Sequence, residues 1–269
     1  MTHPVVAALR SDDAAARRRA CAAAAEDPSA VLLVDALVGA LADEVPAVVH
    51  AAVRALERIG REHAVVLPSL SAGLRDENPR VRLESAWTWA RLEPPPVKLL
   101  PAVVSSLEHL SGDARWRAAR LLVELARMHG EVAPVVEGLA AGDQPDRVRR
   151  IALTALRELS PGSPGTLRAH LDASRGADPG LRRLALTGLA GLGPATPVVW
   201  SRLAEVIATD PDAGCRRVSA TAIAALGAPS DEAREALTRA ATSDPDASVR
   251  ATAERVLDRL RASSTLSPA

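Results

Sequence analysis

The sequence predicts an all-α fold, a right-handed α-solenoid of about eight stacked helix pairs, and three observations lead there. The first is an internal repeat. Aligning the chain on an apolar position usually followed by Arg puts Ala16, Val48, Val81, Ala114, Val148, Leu181, Cys215 and Val249 in one column, at spacings of 32, 33, 33, 34, 33, 34 and 34 residues. The second is a helical period inside each copy, with small or apolar residues 4, 7, 8 and 11 positions after that zero slot. In the last seven copies slot 11 reads Ile59, Leu92, Leu125, Leu159, Leu192, Leu226 and Leu260, and slot 8 reads Leu56, Trp89, Leu122, Leu156, Leu189, Ile223 and Leu257. The third is composition: 48% of residues are hydrophobic, yet there is no Phe or Tyr and there are four Trp. About one residue in five is Ala, a strong helix former whose small side chain lets helices approach closely.

The units follow in order. Residues 5–27 form a degenerate, Ala-rich copy ("SDDAAARRRACAAAA") suited to an N-terminal cap. Full copies are expected at 31–60, 64–93, 97–127, 131–160, 164–193, 197–227 and 231–261, and 263–269 reads as a disordered tail on a single domain spanning 1–262. The zero-slot segment is the second helix of each pair, helix B. Helix A precedes it, as in "VLLVDALVGALAD", "AVVLPSLSAGLRD" and "LLPAVVSSLEHL". Turns such as "DENP", "DPDAG" and "SDPDAS" join them; Asp caps the next helix and Pro fits its first turn. One helix pair cannot bury its own apolar faces, so neighbours stack. The links "EPPP" (Glu93–Pro96) and "SPGSPG" (Ser160–Gly165) are expected to alter curvature locally.

Segments such as "DPDASVRATAERVLDRL", "QPDRVRRIALTALREL", "NPRVRLESAWTWARL" and "DPGLRRLALTGLAGL" resemble HEAT repeats, in particular the short HEAT-like variety of bacteria and of phycobilin lyases. The resemblance runs from about Val5 to Leu260. It implies a solenoid whose B helices line a concave, partner-binding surface. It also implies that the slot 1 arginines (Arg17, Arg82, Arg115, Arg149, Arg182, Arg216 and Arg250, with Val49 the exception) form a structural ladder. Asp76, Asp146, Asp178, Asp212 and Asp246 in the turns are the expected partners.

On such a surface slots 2, 6 and 9 face outward, opposite the core. Trp87 and Trp89 are two residues apart, so their side chains diverge by about 200°. Trp89, in slot 8, belongs to the core, whereas Trp87, in slot 6, faces the groove. With Trp116 and Leu83, both in slot 2, it is expected to form an apolar patch. Arg54 and Arg120 in slot 6 and Arg150, Arg183 and Arg217 in slot 2 are expected to surround that patch with positive charge, in columns free of acids. Trp200, beside Val199, Leu203 and Val206, is expected to pack internally.

The remaining chemistry is sparse. Formal net charge is zero, with 33 basic and 33 acidic residues, and Lys98 is the only lysine. This gives no general attraction to a polyanion or a membrane surface. No signal-peptide pattern opens the chain and no apolar run approaches the ~20 residues of a membrane span, which points to the cytoplasm. Cys21 and Cys215 stand almost a whole chain apart with no CxxC or Cys/His cluster, so neither a zinc site nor a disulfide framework is expected. P-loop, HExxH and GxSxG motifs are absent, and the six histidines are scattered. The His–Glu pairs with which HEAT-like deoxyhypusine hydroxylases hold iron are missing too. The expectation is a scaffold without a cofactor or catalytic residues, binding a protein or peptide of acidic character. The alternative is nucleic-acid binding in the manner of HEAT-like DNA glycosylases, with Asp113 near Trp116 as the conceivable carboxylate. Against it, Asp113 falls where a helix cap is expected.

Overall fold

The computed structural model describes residues 3–192, 196–227 and 229–265. The described residues form sixteen α-helices and no strand. In chain order they are α1 (Pro4–Ala8), α2 (Ala14–Ala24), α3 (Val34–Gly39), α4 (Pro46–Glu62), α5 (Val66–Gly73), α6 (Pro79–Leu92), α7 (Leu100–Val104) and α8 (Asp113–Met128). Then come α9 (Val132–Leu139), α10 (Asp146–Leu159), α11 (Pro164–Ala173), α12 (Pro179–Leu189), α13 (Pro197–Thr209), α14 (Ala213–Leu226), α15 (Asp231–Ser243) and α16 (Ala247–Thr265). Odd numbers are the A helices and even numbers the B helices of the eight predicted copies.

The helices gather into two compact units, Met1–Val132 and Ala133–Ala269. In the first, α2, α4, α6 and α8 pack in series, each against its own A helix. In the second, α10, α12, α14 and α16 pack in series, and α11, α13 and α15 back α12, α14 and α16. The buried side chains are those of the repeat columns: Val48, Leu56 and Ile59, then Val81 and Trp89, then Leu181 and Leu189, then Cys215 and Ile223.

Helix starts obey the turn chemistry. Asp13, Asn78, Asp178 and Asp212 each accept a backbone N–H of the following helix, and Pro occupies the first turn of α4, α6 and α12. Three expected elements differ. "LLPAVVSSLEHL" makes only a five-residue α7 flanked by single 3₁₀ turns, Val97–Leu99 and Leu107–His109. Ser105 and Ser106 both donate their hydroxyls to the Ala102 carbonyl, drawing it away from a continuing helix. The link expected at 160–165 is shorter, because Ser163 caps α11 and Pro164 is its first residue. At the C-terminus α16 continues to Thr265, past the predicted start of the tail, and 266–269 lie outside the described residues.

The slot 1 arginines do form a ladder, with other partners than expected. The Nη1 atoms of Arg17, Arg82, Arg182, Arg216 and Arg250 all donate to carbonyls five and six residues back, stitching each B helix to its own entry turn. Where a carboxylate is added, it ends helix A of the next copy: Asp43 for Arg17, Asp210 for Arg182, Asp244 for Arg216. Asp178, Asp212 and Asp246 are occupied as caps instead. Arg149 follows the expected pattern most nearly, with Asp146 at 3.6 Å and its Nε donating to the Ala140 carbonyl.

Candidate functional site

Trp87 on α6 and Trp116 on α8 meet edge to face, their ring centroids 5.9 Å apart. The repeat register explains it: slot 6 of one B helix and slot 2 of the next lie on the same outward face. Trp116 is 62% exposed and Trp87 half-buried, while Trp89, two residues from Trp87, is in the core. Lys98 Nζ caps the Trp89 ring at 4.1 Å, so the only lysine serves packing. Trp200 is buried as expected.

Leu83 does not join this patch; it is 0% exposed. Side chains of the helices on either side of α6 meet across that helix. His50 Nε2 on α4 lies 2.8 Å from Asp113 Oδ2 on α8, and Arg117 Nη1 on α8 reaches both, at 3.2 Å from His50 and 2.8 Å from Asp113. Beneath them Arg117 Nη2 donates to Oε1 of Glu84 on α6 at 2.6 Å. Helices two copies apart thus touch across the middle one, which a periodicity argument does not anticipate. Asp113 is no cap either: it is the first residue of α8, and the cap is Gly112 at φ +55°, a conformation glycine adopts without strain.

The Glu84–Arg117–Asp113–His50 cluster was missed by the sequence reading. Its signal was an opposite pair, Glu84 and Arg117, in adjacent copies of slot 3, a column that elsewhere reads Arg19, Ala51, Ile151, Leu184, Val218 and Thr252. Burial pushes the Glu84 carboxyl above the usual glutamate range, with Arg117 opposing. Asp113 is held below its usual range: burial pushes it upward, but the hydrogen bond and charge of Arg117 outweigh this.

The predicted arginines divide. Arg54 is exposed on α4, and Arg120 on α8 is half-buried and bonded to Glu124 at 3.1 Å. In the second unit Arg150 pairs with Asp178 and Arg183 comes within 4.0 Å of Asp212. The columns lack acids, but the caps of the next B helix supply them, so much of the expected positive rim is neutralised. Arg217 is exposed and has no ion pair among the described residues. It lines a groove of about 520 Å³ on the slot 2, 6 and 9 face of α12, α14 and α16.

Among the described residues no group of three or more His, Cys, Asp or Glu could hold a metal ion. Cys21 and Cys215 are buried free thiols, pushed up by desolvation to about 11 and about 12, so neither is a thiolate nucleophile at neutral pH. No described helix is long and apolar enough to cross a membrane.

Taken together, the stacked helix pairs and their arginine ladder define an all-α helical-repeat protein. The sequence profile described as HEAT repeats matches residues 67–157 and 167–258, more than half of the chain, and the chain belongs to that family. Comparison with curated proteins gives no match. Among solved structures, the chain is similar to E. coli YibA at 15% identity and TM-score 0.58, over 96% of this chain and 91% of that one. It is also similar to Kap95p, in a structure with RanGDP, at 13% identity and TM-score 0.62, over 96% of this chain and 42% of that one. Kap121p, bound to the extreme C-terminus of the phosphatase Cdc14p, matches at 17% identity and TM-score 0.54, over 98% and 33%. At such identities the likeness is one of fold.

Proposed function

We propose that the protein is a non-catalytic interaction scaffold, and that a protein or peptide partner docks on the Trp87–Trp116 pair. One observation carries the reading: in a chain with four tryptophans and no other aromatic residue, one indole is 62% exposed and rests edge-on against a second, half-buried one. An exposed ring held by a neighbour is pre-ordered, so a partner that buries it loses little further side-chain entropy. Tryptophan is the residue most often found at the energetic centre of such contacts. Arg54, exposed one helix away, adds positive charge at the margin and favours a partner of acidic character. The HEAT fold suits this use, since Kap121p in the matched structure holds a protein C-terminus.

The test compares wild type with Trp87→Ala/Trp116→Ala as bait in nuclease-treated and untreated lysates at physiological salt. A protein retained by wild type, lost from the variant and rebinding when purified supports the reading. Identical captures by both baits overturn it. Nucleic acid released by moderate salt and indifferent to the tryptophans would assign the surface to phosphate contacts instead.

A further inference from the structure

The groove on α12, α14 and α16 combines arginines and threonines over an aliphatic floor. Its polar lining is Arg217, Arg255 and Arg259 with Thr187, Thr221 and Thr252, and no Asp or Glu lines it. The floor is small and aliphatic, with Ala190, Val218, Ala222 and Val256. Upstream in the same unit the equivalent arginines are matched, Arg150 by Asp178 and Arg183 by Asp212. At Arg217 that pattern stops. Asp246, the cap that would be next in the series, caps its own helix and forms no ion pair with Arg217 among the described residues.

The hydroxyls refine the chemistry. Thr187 Oγ1 donates to the Arg183 carbonyl at 2.8 Å, and Thr221 Oγ1 donates to the Arg217 carbonyl at 3.0 Å. With its hydrogen committed, each hydroxyl oxygen keeps only acceptor capacity. The site therefore offers guanidinium donors for carboxylates and hydroxyl acceptors for backbone N–H groups, over a floor sized for short aliphatic side chains. That combination describes a polypeptide rich in Glu or Asp with interspersed Ala or Leu. It does not describe a nucleic acid strand, because no aromatic ring lines the groove to stack a base.

We infer that this groove is a second docking site, for an acidic segment of a partner protein, with Arg217 and Arg255 holding its carboxylates. It shares with the scaffold reading the premise of a protein partner and is independent of the tryptophan pair.

The test uses the full chain and fluorescence anisotropy with a labelled peptide of repeating Glu-Glu-Ala-Leu. Its Gln-Gln-Ala-Leu counterpart, a Lys-Lys-Ala-Leu peptide and a labelled single-stranded oligonucleotide are the competitors. Wild type should prefer the Glu peptide to the Gln peptide by roughly tenfold or more. Arg217→Glu/Arg255→Glu should lose the Glu peptide and acquire affinity for the Lys peptide, and Trp87→Ala/Trp116→Ala should bind as wild type does. If the reversal impairs folding by circular dichroism, Arg217→Gln/Arg255→Gln should still weaken the Glu peptide by about tenfold. Equal binding of Glu and Gln peptides, unchanged affinity in the arginine variants, or preference for the oligonucleotide would overturn the inference. Loss in the tryptophan variant alone would transfer the site to the first unit and leave the scaffold reading standing.

Discussion

Arg117 on α8 places Nη2 2.6 Å from Oε1 of Glu84 on α6, a carboxylate only 1% exposed whose other oxygen has no hydrogen-bond partner among the described residues. The pair joins two consecutive B helices directly beneath the His50–Asp113 contact. It therefore holds α6 and α8 in the register at which Trp87 and Trp116 meet.

Removing the cation should cost more than removing both charges. Arg117→Met leaves Glu84 buried and unpaired, with an expected loss of about 3 kcal/mol, whereas Glu84→Gln/Arg117→Met should recover most of it. Urea unfolding of the four-member cycle measures the coupling. A double variant as unstable as Arg117→Met would show that the pair is not a unit.

The pH dependence of that loss has a definite sign. The Glu84 pKa is raised by burial, so this residue's contribution to stability is fully present below the unfolded value and is lost as pH rises through the folded one. Asp113 is lowered by Arg117, so its contribution is present above the unfolded value and is lost as pH falls. Without Arg117, Glu84 pays the whole desolvation penalty when ionised and Asp113 keeps only His50 as a partner, and both deficits shrink on protonation. The difference in urea midpoint between wild type and Arg117→Met should widen from acid to neutral pH.

The ladder aspartates act in the acid range. The hydrogen bonds from Arg17 and Arg216 hold Asp43 and Asp244 below the usual aspartate range, outweighing the effect of burial. Their contribution is present above the unfolded value, near 4, and is lost as pH falls through the folded one. Asp244→Asn should cost roughly 1–3 kcal/mol at neutral pH, between the exposed and buried limits for such pairs. It should also flatten the acid limb of stability against pH. An unchanged limb would mean that Asp244 titrates alike in folded and unfolded chains.

The repeat columns made the helix pairs, their order and most of their core legible, because slot identity is a local property repeated eight times. The same logic placed Trp87 beside Trp116, which needs only the stacking of adjacent copies. It failed where contacts skip a copy or come from turns. His50 and Asp113 meet across α6, and Arg150 and Arg183 approach caps of the next helix. Neither fact is written in a single column. Arg82 shows the same limit: its carbonyl partners five and six residues back follow from the repeat, but its bond to the Ser105 carbonyl comes from the irregular end of α7.

The two tryptophans of "WTW" should respond oppositely to truncation. Trp89 is 6% exposed, so Trp89→Ala is expected to cost about 3–5 kcal/mol through the cavity it leaves. Trp116→Ala should change stability by less than about 1 kcal/mol. Its indole should also dominate acrylamide quenching of the native protein. Trp89→Phe is a sharper probe: the indole Nε1 is buried without a partner, so its removal offsets part of the lost volume. Comparable losses for Trp89→Ala and Trp116→Ala would contradict the core and surface assignments.

Gly188 on α12 sets a close approach in the second unit. A Cβ there would overlap Cδ2 and Nε2 of His170 on α11. His170 has little room to retreat, being 1% exposed with its Nδ1 2.9 Å from the Thr166 carbonyl. Burial lowers its pKa, which keeps the ring neutral, with Nδ1 as the donor to that carbonyl. In an open helix Gly→Ala would stabilise by about 1 kcal/mol. Here the overlap should reverse the sign, and Gly188→Ala is expected to destabilise by roughly 1–3 kcal/mol. If the clash with the imidazole is the cause, His170→Ala should relieve it. Gly188→Ala/His170→Ala should then be less destabilised than the sum of the single changes, and strict additivity in urea unfolding would place the strain elsewhere.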